Sequence, residues 1–279
     1  MREFFAPILS LCAAASWGAA DFSGGIASKR SNVFAVVWVA HGTGLLFMTA
    51  LGWALDDPWP TRHALAWGLV AGLSGAVGLL SLYRSLAVGT MGVNAPIAAV
   101  ITAALPVAYG MATQGLPGML QLGGFGLALA AIWLIALSDG ELGRPKGLGL
   151  AMLAGVGFSG FLLFSRLAGT ESVYWPLAAS RGASVTLISL LLLWRRPVDW
   201  KPQKSMLPYM LISGVLDSAG NALFVLATHY GRLDVAAVLS SLYPASTVFL
   251  AWVILKERVS RIQLAGMLAA LVAVVMIAG

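Results

Sequence analysis

Residues 252–271 read WVILKERVSRIQLAGMLAAL, with Lys256, Glu257, Arg258 and Arg261 set between two strongly apolar runs. The stretch is either a soluble charged loop with apolar neighbours or a turn at a membrane surface between two spanning helices. A near copy sharpens the choice: Gln263-Leu264-Ala265-Gly266 is preceded, 142 residues earlier, by Gln121-Leu122-Gly123-Gly124, where the charges are missing. Composition decides the solvent. The chain is 59% hydrophobic and 10% charged, with mean hydropathy +0.87, whereas about a quarter of the residues in an ordinary soluble domain are charged. Its 10 Trp, 11 Phe and 32 Gly suit a bilayer, where aromatic residues sit at the interfaces and glycine lets helices approach closely. The stretch therefore reads as a turn between two membrane helices.

Apolar runs of about 20 residues, the length that crosses the hydrocarbon core, fall at roughly 4–27, 34–54, 64–86, 92–112, 117–137, 147–168, 175–194, 206–228, 233–255 and 261–278. The expected fold is an all-α integral membrane protein of ten transmembrane helices with short loops and no soluble domain. A cleaved signal peptide is the alternative for the first run, since Ala13-Ala14-Ala15 offers small residues, but the run is long for one and has a counterpart in mid-chain. Laying 1–137 on 143–279 without a gap pairs every apolar block with another. Asp57 meets Asp199, Pro60 meets Pro202, Gly72 and Gly78 meet Gly214 and Gly220, and Phe22-Ser23 meets Phe164-Ser165. The expectation is two five-helix repeats, 1–137 and 143–279, forming one membrane domain. Five is odd, so the second repeat enters the membrane from the opposite side and the two are inverted. Inverted repeats recur in secondary transporters, where exchanging the conformations of the halves turns an outward-open state into an inward-open one.

The segment AAVLSSLYPASTVFLAWVILKERVSRIQLAGMLAALVAVVMIAG, residues 236–279, resembles the last two helices of EamA-type members of the drug/metabolite transporter superfamily. The resemblance rests on Pro244 in the ninth helix, the Glu257-Arg258 pair, and Gln263-Leu264-x-Gly266 opening the tenth. Trp17-Gly18 in ASWGAADF is similar to the family's first-helix Trp-Gly. The first half departs from the pattern, with Gly115 and Leu116 where the second has Glu257 and Arg258. The resemblance implies a transporter with a central cavity lined by helices one, three, four, six, eight and nine, which would bring Trp17, Asn94 and Tyr243 to it together with Asp217.

Charge sets the expected orientation. Loops opposite the N-terminus carry Lys29, Arg30, Arg144, Lys146, Arg195, Arg196, Lys201, Lys204, Lys256, Arg258 and Arg261, whereas the N-terminal side has Arg2, Arg62, Arg166 and Arg232. By the positive-inside rule both termini face away from the cytoplasm of a bacterial inner membrane. The resemblance implies cytoplasmic termini for many relatives, and the expectation here follows the count. The absent charges beside Gln121 then fit a turn on the non-cytoplasmic side.

Polar groups within the spans are the functional candidates, because a charge at mid-bilayer costs roughly 2.5 to 3.5 kcal/mol on insertion scales. Asp217 lies near the middle of the eighth helix with Asn221 one turn on along the same face. A carboxylate there could exchange protons with either side and couple them to substrate movement; the alternative is an interhelical hydrogen bond. Asp21 sits nearer a membrane edge, where it could also be solvated. His41 titrates near neutral pH in water or serves as a packing hydrogen-bonder. Arg181 could pair with an acid, bind a substrate carboxylate or snorkel. Pro96, Pro106 and Pro244 lie inside the fourth and ninth helices as candidate kinks or hinges.

No H-E-x-x-H, G-x-S-x-G or phosphate-cradling motif occurs, so a membrane-embedded enzyme is disfavoured and no metal or cofactor is expected. Cys12 has no partner cysteine in the chain. The basic residues come as short clusters between apolar blocks, so no nucleic acid is expected as a partner. The reading is a secondary transporter exporting small metabolites, amino acids or related amphipathic compounds, by alternating access with protons as the coupling ion. A lipid-linked sugar flippase and a passive channel of the same fold are the alternatives. Membrane lipids are its surroundings, and a monomer or weak dimer its expected state.

Overall fold

The structure, a computed structural model, describes residues 5–89, 91–136, 146–195, 200–256 and 260–278. The turn that opened the argument lies partly outside them: Glu257 and Arg258, like Arg2, Arg144, Arg196 and Asp199, are not among the described residues. Helices run α1 Phe5–Ser28, α2 Val33–Ala54, α3 Arg62–Val88, α4 Met91–Gln114, α5 Met119–Ala136, α6 Leu148–Ala168, α7 Tyr174–Arg195, α8 Leu207–Tyr230, α9 Leu233–Ser240, α10 Tyr243–Leu255 and α11 Arg261–Ala278. With α9 and α10 taken as one span, these are ten apolar segments within a few residues of the expected ones. Eight are long and apolar enough to cross a membrane, and Met119–Ile135 and Arg261–Ile277 are shorter apolar helices.

The prolines stand in two settings. The fourth helix is unbroken through Pro96 and Pro106. Proline lacks the N–H and crowds the carbonyl one turn back; beside Pro106, the Leu105 N–H donates to Ser159 Oγ of α6 at 3.1 Å. The ninth span breaks at Ser241–Leu242, ahead of Pro244, which starts α10. In the first turn of a helix a proline forfeits no hydrogen bond. Pro244 is thus a helix starter after a break, and Leu242 N to Leu239 O (3.2 Å) and Ala245 N to Leu242 O (3.0 Å) carry the chain across it.

Packing joins the two stretches of chain throughout. The α1 helix packs most extensively on α8, and α3 on α6; under the 142-residue shift these are the same pair with the halves exchanged. The α2–α7 and α5–α11 pairs map onto themselves. The repeated glycines sit at matching close approaches. Gly72 of α3 lies against the Ser180 backbone of α7, and Gly214 of α8 against the Ala40 backbone of α2. Gly78 meets the Phe158 ring and Gly220 the Trp17 ring, so any Cβ at these sites would overlap its neighbour. The two glutamines of the opening comparison are reciprocal: Gln121 Nε2 donates to Ile277 O (3.4 Å) and Gln263 Nε2 to Ile135 O (3.3 Å). Each satisfies a carbonyl of the other helix's last turn, which has no intrahelical donor.

Two polar clamps tie loops on the N-terminal side. Asp57, after α2, accepts from Ser172 Oγ (2.7 Å) and from the N–H groups of Val173, Tyr174 and Trp175 at the start of α7, where the helix dipole favours an anion. Arg232 pairs with Asp234 (2.7 Å) and donates to Gln114 O and Gly115 O at the end of α4.

Candidate functional site

A cavity lies where α1, α2, α3, α4, α6, α7, α8 and α10 converge. Its polar lining is Trp17, Asp21, His41, Thr102, Arg181, Asp217, Asn221 and Tyr243, with Gly75, Leu79, Phe158, Phe161 and Leu162 as apolar wall. The volume is about 40 Å³, and at ~10–15 Å³ per water it has room for a few waters and not for an amino acid. The polar groups are therefore drawn close together around a space of water size.

The residues singled out in the sequence fall in three places. Asp21, His41, Arg181, Asp217, Asn221, Trp17 and Tyr243 come together on the cavity. Asp21 is not near a solvated edge: it is 6% exposed, and its carboxylate has no ion-pair or hydrogen-bond partner among the described residues. Asn94 lies elsewhere. Its Nδ2 donates to Ser85 O (3.1 Å) and Lys146 O (2.9 Å), fastening the end of α3 to the start of α6, and it is not among the lining residues. Pro106 and Pro244 also lie off the lining.

Arg181 and Asp217 form a buried ion pair, Nη2 to Oδ2 at 2.5 Å. The guanidinium also rests 5.9 Å above the Phe161 ring centroid, a cation–π contact. Phe161 reaches that place because position 75 is glycine; a Cβ there would lie 2.9 Å from Cδ2. His41 Nδ1 is hydrogen-bonded to Ser184 Oγ of α7. Trp17 Nε1 donates to Asn221 Oδ1 (2.9 Å) and to Asp217 O (3.3 Å), and Tyr243 Oη donates to Ala95 O of α4 (3.3 Å).

The lining combines symmetric positions with asymmetric chemistry. Residues 217 and 221 of α8 face the cavity one helical turn apart, and so do their repeat counterparts Gly75 and Leu79 of α3. One side brings an acid and an amide, the other space and a hydrocarbon wall. Sequence reading missed Phe158, Phe161, Thr102 and Ser184. Ser184 carried a signal, standing three residues after Arg181 on the same helical face; the phenylalanines carried none in so apolar a chain. A second groove on the outer surface, between α2, α3 and α7, is lined chiefly by Leu45, Leu69, Leu73, Trp175 and Leu187 and shares no lining residue with the cavity. It offers no charged group to a lipid-linked sugar.

The comparisons with known proteins agree with this architecture. A solved structure described only as "Crystal structure of protein" matches with TM-score 0.75 at 19% identity, over 97% of this chain and 95% of that one; at that identity the likeness speaks for the fold alone. No curated protein matches the sequence. The model of the EamA-like transporter family matches residues 145–279, the part containing α6 to α11 and therefore Arg181, Asp217, Asn221 and Tyr243. Residues 145–279, a little under half of the chain, are thus similar to the EamA-like transporter family.

Proposed function

We propose that the chain is a secondary active transporter that exports small metabolites, amino acids or related amphipathic compounds, across a bacterial inner membrane by alternating access. The halves 1–137 and 143–279, related by inversion, exchange conformations around the central cavity, with both termini facing away from the cytoplasm. The observation that carries the reading is the cavity: buried at the seam between the halves, too small for a solute in this conformation, and holding two carboxylates against one guanidinium. A solute can enter such a site only after one side opens, and an inverted pair of halves provides an opening to each side in turn.

Charge supports proton coupling. Asp21, Asp217 and Arg181, all ionised, leave one uncompensated negative charge, which a proton or a cationic solute group neutralises. Asp217 is occupied by Arg181 and Asp21 is not, so the proton rides on Asp21 and not on Asp217, the carboxylate favoured by the sequence. The test is reconstitution in liposomes with an imposed pH gradient and a radiolabelled mixture of the standard amino acids. The expected result is saturable, gradient-driven uptake that falls at least tenfold in Asp21→Asn. A wild-type protein without saturable uptake refutes transport of this class; undiminished uptake in Asp21→Asn refutes the coupling.

A further inference from the structure

Three side chains on the cavity wall keep unused hydrogen-bonding capacity. Asn221 is 3% exposed, and its Nδ2 has no partner among the described residues. The orientation of that amide follows from chemistry. Trp17 Nε1–H can only donate, and it lies 2.9 Å from the Asn221 amide oxygen, so the oxygen is held toward the indole and the NH2 is left for the cavity. The indole is itself confined, tilted against Phe224 with centroids 5.9 Å apart and resting on Gly220, where a Cβ would lie 2.5 Å from Cδ1. His41 is 1% exposed; Nδ1 is engaged by Ser184 and Nε2 has no partner among the described residues. We assign the tautomer in which the Ser184 hydroxyl donates to Nδ1 and Nε2 carries the ring proton. Arg181 spends one of five N–H groups on Asp217.

Buried donors without acceptors are costly and mark places where a ligand or water completes the bonding. We infer that Asn221 Nδ2, His41 Nε2 and the remaining Arg181 N–H groups form a subsite for the carboxylate of a small zwitterionic substrate, whose ammonium faces the unpaired Asp21. This inference rests on the transport reading above and narrows its substrate class. A carboxylate accepts about four hydrogen bonds, and a guanidinium suits it geometrically. In this conformation Asn221 Nδ2 and His41 Nε2 have no partner among the described residues, and a substrate carboxylate supplies acceptors when the cavity widens. An amine without the carboxylate would strand the donors, which is how a site built for hydrogen bonding rejects an analogue. Trp17 is a positioning residue acting through the Asn221 amide.

Proteoliposome counterflow of a radiolabelled mixture of the standard amino acids, set against the matching mixture of their decarboxylated amines, tests the assignment. Wild type is expected to prefer the amino acids at least tenfold. Asn221→Leu collapses that ratio, and Asn221→Asp, which replaces the NH2 by an acceptor, does the same should the leucine variant not fold. Trp17→Phe keeps a ring but frees the amide, lowering the ratio partway, and adds nothing in the Asn221→Leu background. A ratio unchanged in both Asn221 variants, or a wild type that moves the two mixtures equally, overturns the subsite while leaving transport standing. A wild type that moves neither overturns the transport reading and the subsite with it.

Discussion

Neutralising Asp217 should unfold the protein more readily, and removing Arg181 as well should restore it. The pair is 2.5 Å apart, with side-chain exposures of 5% for Arg181 and 16% for Asp217. Truncating one partner of a buried pair costs about 3–5 kcal/mol, because the other charge is stranded in low dielectric. Asp217→Leu removes the direct partner of the better buried member, although Asp21 shares the cavity and a few waters fit beside it, so a cost of about 3 kcal/mol, at the low end, is expected. Arg181→Met strands the more exposed carboxylate and should cost less, about 2 kcal/mol by the same argument. Both changes together leave apolar groups beside Phe161 and Leu162, and replacing a buried pair by hydrocarbon is often neutral. The double variant should then sit within about 1 kcal/mol of wild type, against a sum near 5 for independent sites. The assay is a denaturant titration in detergent micelles followed by tryptophan fluorescence, on protein that elutes as one symmetric peak. A double variant as unstable as the sum of the singles would refute the view that this pair is a buried, mutually dependent unit.

Three further outcomes follow from the packing and the clamps. Gly72→Ala and Gly214→Ala should each destabilise by about 1–3 kcal/mol through overpacking, despite alanine's better helix propensity. Gly126→Ala, where nothing lies within 4 Å of the new Cβ, should stabilise by up to ~1 kcal/mol, and the same micellar titration reads all three. Asp57→Ala removes the acceptor from the N–H groups opening α7 and should cost about 0.5–2 kcal/mol, as other lost helix caps do; faster amide exchange at residues 173–175 is the signature, and unchanged protection there would contradict the clamp. Gln121→Leu and Gln263→Leu should each cost about 0.6 kcal/mol, the average for interhelical hydrogen bonds in a bilayer, and a large difference between them would contradict their reciprocity.

What could be read from the sequence was what the bilayer and the repeat dictate. Span length fixed the helices to within a few residues, and the paired glycines and glutamines, read in the sequence as signs of the repeat, prove to sit at matching contacts. Partnership was harder to see, because a uniformly apolar helix carries no amphipathic stripe to say which face meets which neighbour. Asp21 was misjudged by counting distance along its helix, which ignores how deeply the surrounding helices bury a position. Asn94 shows the converse limit: an amide in a membrane helix satisfies backbone carbonyls as readily as it faces a cavity. Asp217 with Asn221 was legible because two polar residues one turn apart in an apolar helix need a common polar surrounding. Their counterparts Gly75 and Leu79 explain why the repeat alone did not reveal the site, since the chemistry lies where the halves differ.

The reciprocal bonds of Gln121 and Gln263 bear on how the chain is made. Gln121 finds its acceptor 156 residues later, at Ile277, and at roughly 5–20 residues per second that carbonyl emerges about 8–31 s after it. For part of this interval the first five helices are without α7 and α8, and for nearly all of it without α11, against which α2, α1 and α5 finally pack. Residues 5–136 are therefore not a folding unit on their own, because their final packing waits on helices of the later stretch.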